Sequence, residues 1–230
     1  RGDVSEGHSC PSALATGFKV STWMAPRTRR SFGLDRNDDV VYRRPAFLLL
    51  VFKTSRRRFV KDGSTMDDRT DGNGVAPLTV AVVQLCSNQD VEANLETVCR
   101  FIGEAGEAGA QVVATPENTA FLRTDPSTPA PKQGLDGPIV SRLREAAREA
   151  GVWLLIGSIQ EEVPGEDRRY ANTSVVIDGT KPDAPITSTY RKLHLFDIDI
   201  KGGESQRESD WIVRGDEVVC TTVAGVKTGL

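Results

Sequence analysis

The chain has 230 residues, 38% apolar and 27% charged, with a net charge of −3. That balance fits a soluble globular protein of one large or two small domains, and it gives no electrostatic basis for nucleic acid or a membrane as the main partner. Cys10, Cys86, Cys99 and Cys220 lie far apart, and His8 and His194 are the only histidines, a set that argues against a zinc site and reads as a reducing, cytoplasmic setting.

Arginines cluster through the first 65 residues (Arg27, Arg29, Arg30; Arg43, Arg44; Arg56, Arg57, Arg58) without helical or strand periodicity. The apolar run from Pro45 to Phe52 is far shorter than the roughly 20 residues of a spanning helix, and no small-residue cleavage pattern follows it. The first residue is Arg1, whereas Met66 opens a polar stretch leading to Leu78. Residues 1–65 are therefore read as a disordered extension or a spurious upstream translation. The acidic Asp35, Asp38 and Asp39 count against an arginine-rich targeting segment. Residues 66–77 read as a flexible lead-in, and the folded domain is expected over 78–230.

From Leu78 the pattern alternates between strand and helix. Leu78–Leu85 is short, apolar and valine-rich, which predicts a buried strand. Val91, Leu95, Val98, Ile102 and Ala105 recur at three- and four-residue spacing, predicting a helix over 91–108 closed by Gly109. Gln111–Ala114 is a second strand, ending in Thr115-Pro116-Glu117. Asp136-Gly137-Pro138 introduces a helix from Ile139 to Ala150, capped by Gly151. Val152–Ser158 is a third strand. Tyr170–Ile177 and Ile186–Tyr190 read as a strand pair around Asp178-Gly179, and Val218–Val223 as a further strand, with Lys227–Leu230 leading into the next. Such alternation indicates a layered α/β domain.

Glu117 follows a short buried strand, where α/β folds assemble active sites. Backed by apolar residues that disfavour the charged form, it is a candidate general base; a solvated loop acid is the plain alternative. Lys192 follows another strand, among Leu193, Leu195 and Phe196, where an ammonium can stabilise an oxyanion; alternatively it is a surface lysine beside Arg191. His194 reads as a packing and hydrogen-bonding residue, and Arg207–Asp210, with Glu208, as a hydrophilic loop. Cys86 and Cys99 are expected to be buried. Cys220 sits inside an apolar strand, and none of these three thiols has the paired base of an activated thiolate.

The order of these pieces resembles the nitrilase superfamily of carbon–nitrogen hydrolases. Val82-Val83-Gln84-Leu85 resembles its first strand, Asn94-Leu95 the next helix, and Pro116-Glu117-Asn118 its general-base glutamate. Gly157-Ser158-Ile159 and Tyr170–Ser174 resemble the following strands, and Tyr190-Arg191-Lys192-Leu193-His194-Leu195-Phe196-Asp197 its lysine motif. The resemblance implies an α-β-β-α sandwich that pairs into homodimers or larger assemblies. It implies amide hydrolysis by a cysteine nucleophile, with Glu117 as base, Lys192 holding the oxyanion and Glu208 positioning lysine and substrate. A small-molecule amide and water are the implied partners, with no metal or organic cofactor. Leu-Phe-Asp-Ile-Asp-Ile, followed by a Gly-Gly loop and Glu-Ser, most resembles the ω-amidase and deaminated-glutathione amidase branch, which implies a small carboxylate-bearing amide.

The family's cysteine follows a Gly-Leu-x-x-Cys pattern, and this sequence ends at Gly229-Leu230. The nucleophile is thus expected about three residues beyond Leu230. As given, the piece is predicted to be inactive, and insoluble or partly folded. Two other readings stay open at this point: a non-catalytic interaction module with the same fold, and another branch of the chemistry, such as an N-carbamoyl amino acid hydrolase or a nitrilase proper.

Overall fold

The computed structural model describes residues 19–21, 48–54, 78–125, 127–201 and 205–230. Seven strands form one sheet in chain order: β1 (Lys19–Ser21), β2 (Leu48–Thr54), β3 (Leu78–Gln84), β4 (Val112–Ala114), β5 (Trp153–Glu161), β6 (Ala171–Asp178) and β7 (Ile186–Arg191). The pairs β3–β4 and β4–β5 are parallel; the remaining pairs are antiparallel. It follows that β3, β4, β5 and β7 all run in one direction, and their C-terminal ends share one edge of the domain.

Of the 65 residues read as an extension, the structure describes only β1 and β2. Leu48 pairs with Gln84 and Thr54 with Leu78, so β2 lies along all of β3. The rest of that expectation, and the lead-in over 66–77, fall outside the described residues. Among those described, no helix is long and apolar enough to cross a membrane.

Helix α1 (Val91–Glu107) joins β3 to β4, and α2 (Pro138–Ala150) lies between β4 and β5. The Asp90 carboxylate accepts from the Ala93 N–H at 3.1 Å and caps the first turn of α1. Gly137, at the N-cap of α2, has no side chain to offer, and the buried Gln133 amide accepts from the Ile139 N–H instead, at 2.9 Å. Gly151 closes α2 in the left-handed region at φ 64°, where a Cβ would be strained.

Both helices cover the same sheet face. Leu95, Val98, Phe101 and Ile102 of α1 and Ile139, Val140, Leu143 and Ala147 of α2 meet Ala81, Val83, Val113, Leu154, Ile156, Val175 and Ile177 in one core. Burying each of the larger aliphatic side chains contributes about 2 kcal/mol. The opposite face carries Val80, Val112, Trp153, Leu155 and Val176, against which Val223 and Leu230 pack. Strand alternation distributes the two sets of residues between the faces.

The expected elements are present, with changes at their ends. β5 runs on to Glu161, past a register shift between Ile156 and Ile159. β6 and β7 are joined by residues 179–185 instead of a tight turn. β10 (Cys220–Val223) and β11 (Val226–Gly229) pair with each other through Ala224 and Gly225, whose φ values of 47° and 79° suit a hairpin turn. A short ribbon, β8 (Asp197–Asp199) with β9 (Ser205–Arg207), and a 3₁₀ turn over Glu208–Asp210 replace what the sequence suggested was a plain hydrophilic loop.

Candidate active site

Glu117 follows β4 and Lys192 follows β7. The parallel direction of these strands brings residues 75 positions apart to the same edge. The Lys192 ammonium donates to Glu117 Oε1 at 2.9 Å and lies 3.0 Å from both carboxylate oxygens of Glu208. The three candidates named from sequence therefore form one cluster.

Each member is held through its backbone or its other oxygen. The Lys192 N–H donates to the Asn172 carbonyl and the Lys192 carbonyl accepts from the Gly215 N–H, both at 2.9 Å. Glu208 Oε2 accepts from the Phe196 N–H at 2.8 Å. Asp197 accepts from the Ser209 N–H at 3.0 Å, and this bond together with the Ser209 side chain holds the Asp197 carboxyl below its usual range. The β8–β9 ribbon thus carries Glu208 back to the lysine.

Glu117 is placed by the reversal that follows it. Asn118 adopts φ 56°, a conformation asparagine tolerates well. Its N–H donates to Ser158 Oγ at 2.8 Å, and its Oδ1 accepts from Gln160 Nε2 at 3.0 Å. The Thr119 N–H donates to the Ser158 carbonyl at 3.1 Å. The β5 irregularity is what permits this approach: a Cβ on Gly157 would lie 2.3 Å from the Thr115 carbonyl oxygen and 2.4 Å from the Pro116 carbonyl. Backbone on both sides cannot yield as a side-chain tip would. Gly157→Ala is accordingly expected to cost about 3 kcal/mol, at the upper end for overpacking, read as a lower urea midpoint. An unchanged midpoint would show that the strand end moves freely.

Three expectations need correction. Glu117 is not in an apolar setting: its side chain is 51% exposed and accepts from both Lys192 and Asn172, because it lies at an open sheet edge. His194 is not a packing residue. It is exposed on a groove of about 390 Å³ beside Leu193 and Leu195, and it makes no hydrogen bond to a described residue. Cys86 is exposed, not buried, because it falls beyond β3 in the connection to α1; Cys99 is half-buried, and Cys220 is exposed at the start of β10. Burial pushes the Cys99 thiol up, partly offset by Arg142. Cys10 lies outside the described residues.

Asn172 lies in a segment that the sequence offers only as strand, yet its amide donates to Glu117 Oε1 at 2.6 Å while its carbonyl holds Lys192. The available signal was an asparagine inside a strand of otherwise small and β-branched residues, a type depleted from strands. Beneath it, buried Glu161 accepts two hydrogen bonds from Arg191, at 2.7 and 2.9 Å, and one from Thr173 at 2.6 Å. No sequence signal marked Glu161.

The geometry leaves two groups uncommitted. Both donors to Glu117 use Oε1, so Oε2 has no partner among the described residues. Lys192 has three N–H donors, of which two point at the carboxylates. A free carboxylate oxygen beside a free ammonium hydrogen is suited to moving a proton while holding a developing negative charge.

Known proteins are similar to this chain in sequence and in fold. Residues 79–230 match the family described as Carbon-nitrogen hydrolase. The chain is 34% identical over 142 residues to an omega-amidase NIT2 of Xenopus tropicalis, covering 62% of this chain and 49% of that protein. It is 34% identical over 158 residues to a deaminated glutathione amidase of Bos taurus, covering 66% and 46%. The chain spans about half the length of the curated relatives it matches. Among solved structures, the C. elegans NitFhit protein superposes with a TM-score of 0.53 at 28% identity, over 61% of this chain and 34% of that one. An amidase of Nesterenkonia, at 22% identity and a TM-score of 0.53, shares the fold over 66% of this chain and 55% of its own. With the family match covering well over half its length, the chain belongs to the carbon–nitrogen hydrolase family.

Proposed function

We propose that the whole protein hydrolyses the amide bond of a small carboxylate-bearing amide, in the manner of the ω-amidases and deaminated-glutathione amidases. One observation carries the reading: the Lys192 ammonium bridges Glu117 and Glu208, at 2.9 and 3.0 Å, with one glutamate oxygen left free. By family spacing, a cysteine beyond Leu230 supplies the nucleophile.

In the proposed reaction Glu117 takes the thiol proton and the thiolate attacks the amide carbon. Lys192 holds the oxygen as it becomes negative. The carbon–nitrogen bond breaks, Glu117 returns the proton to the departing nitrogen, and ammonia leaves a thioester. Glu117 then deprotonates water, whose oxygen attacks the thioester carbon. The carboxylic acid departs and the thiol is restored. Glu208 touches no reacting atom in this scheme. It is a positioning residue that fixes the ammonium.

The test is ammonia release by the full-length protein from ω-amides of short dicarboxylic acids. Release that disappears when the expected cysteine is replaced by alanine supports the reading. A different residue at that place, or no release from any amide, overturns it.

A further inference from the structure

We propose that Arg123 receives the free carboxylate of the substrate, an assignment that rests on the amidase reading above. Arg123 ends the stretch that begins at Glu117, and that stretch is tied down on several sides. Asn94 Nδ2 donates to the Ala120 carbonyl at 2.9 Å, Gln160 Nε2 to the Phe121 carbonyl at 3.0 Å, and the Leu122 N–H to the Asn88 carbonyl at 3.0 Å. The guanidinium carbon lies 4.9 Å from the centroid of the Trp211 ring and 5.9 Å from that of Tyr170.

Those two rings belong to the segments that carry Glu208 and Asn172 into the cluster. The Trp211 N–H donates to the Glu208 carbonyl at 3.0 Å, and the Tyr170 N–H to the Trp211 carbonyl at 3.0 Å. Tyr170 also precedes Asn172, the residue that holds Glu117, by two positions. Burial pushes the Tyr170 hydroxyl up, and the charges acting on it are those of Arg123, Glu208, Glu117 and Lys192. The Tyr170 ring thus lies 5.9 Å from the guanidinium, and its hydroxyl feels the charges of Glu117, Lys192 and Glu208.

Arg123 has no carboxylate partner among the described residues, and its Nε is buried without an acceptor. Arg191 pairs with Glu161, Arg169 with Glu166 and Arg142 with Glu92, whereas Arg144, Arg168 and Arg214 share with Arg123 the lack of a carboxylate partner among the described residues; of these four only Arg123 sits against the rings of Tyr170 and Trp211. A guanidinium held over aromatic rings without a carboxylate partner keeps N–H donors that match a carboxylate in a two-point fork. Charge points the same way. The triad sets two acids against one base, which disfavours an anionic substrate unless a further cation stands beside it.

The experiment uses the full-length protein as wild type, Arg123→Gln and Arg123→Lys. Two amides are compared, glutaramate and its neutral counterpart pentanamide, and glutarate serves as a ligand that needs no turnover. Arg123→Gln is expected to raise KM for glutaramate about 30-fold with kcat and the pentanamide rate little changed, and to abolish glutarate binding by calorimetry. Arg123→Lys keeps the charge without the fork and should fall between the two. Equal loss on both amides, or undiminished glutarate binding by Arg123→Gln, overturns the assignment. So does a wild-type protein that binds glutarate no better than pentanoate, a comparison that stands even if the variants fail to fold. If the wild type hydrolyses neither amide, the amidase reading fails. In that event, loss of glutarate binding in Arg123→Gln still supports the carboxylate site, and its retention still removes it.

Discussion

Replacing Lys192 with methionine should lower kcat/KM of the full-length protein about a thousand-fold, the cost expected when a principal oxyanion donor is removed. Methionine keeps the unbranched stem and discards the ammonium, so the loss reports charge and hydrogen bonding more than packing. Retained turnover would eliminate Lys192 from the chemistry.

The same substitution has a consequence for stability. Burial disfavours the Lys192 ammonium, but its hydrogen bonds to Glu117 and Glu208 outweigh that and hold its pKa above the ordinary lysine value. A group whose pKa is raised by folding stabilises fully below its unfolded value, about 10.4 for lysine, and loses that contribution as pH rises through the folded value. The urea midpoints of wild type and Lys192→Met should therefore differ at neutral pH and converge in strong alkali. A gap that persists there would trace the loss to packing.

The second large effect is expected at Arg191→Met, which leaves the Glu161 carboxylate, only 10% exposed, without its cation. Breaking a buried pair from one side is strongly destabilising. Because Arg191 itself is 41% exposed, solvent screening argues for about 3 kcal/mol, the low end of that range. Burial pushes the Glu161 carboxyl up, while the hydrogen bonds from Arg191 and Thr173 outweigh it and leave the pKa below the ordinary glutamate value. A depressed folded pKa gives stability that is present above about 4.3 and is lost as pH falls through the folded value. Wild type should thus lose stability in acid more steeply than Arg191→Met. The double variant Arg191→Met, Glu161→Gln should recover much of the loss, since no buried charge then lacks a partner. If Arg191→Met melts like wild type at neutral pH, the pair does not support the strand that leads into Lys192.

Both helices and the strands from Leu78 to Tyr190 were legible because their signals are local. Periodic apolar spacing, a glycine at each helix end and valine-rich runs depend on neighbours within a few residues. Residues 1–65 show the converse case. Their arginine clusters carry no period, and the strand Leu48–Thr54 is defined by its pairing with Leu78–Gln84, a contact across some thirty residues.

The sequence by itself determined the alternation of elements and the α/β class, and its family resemblance singled out Glu117, Lys192 and Glu208 as candidates. Only the tertiary structure decided that an ammonium joins the two acids, that Asn172 ties Glu117 to the strand beside Lys192, that Glu161 lies paired beneath, and that Arg123 lies against the rings of Trp211 and Tyr170. Each of these is a contact between residues far apart in the chain. The direction of β4 and β7 and the close approach at Gly157 fix them. Residue types and spacing encode which groups a segment can offer; which of them meet is set by strand order and register, and those are properties of the assembled sheet.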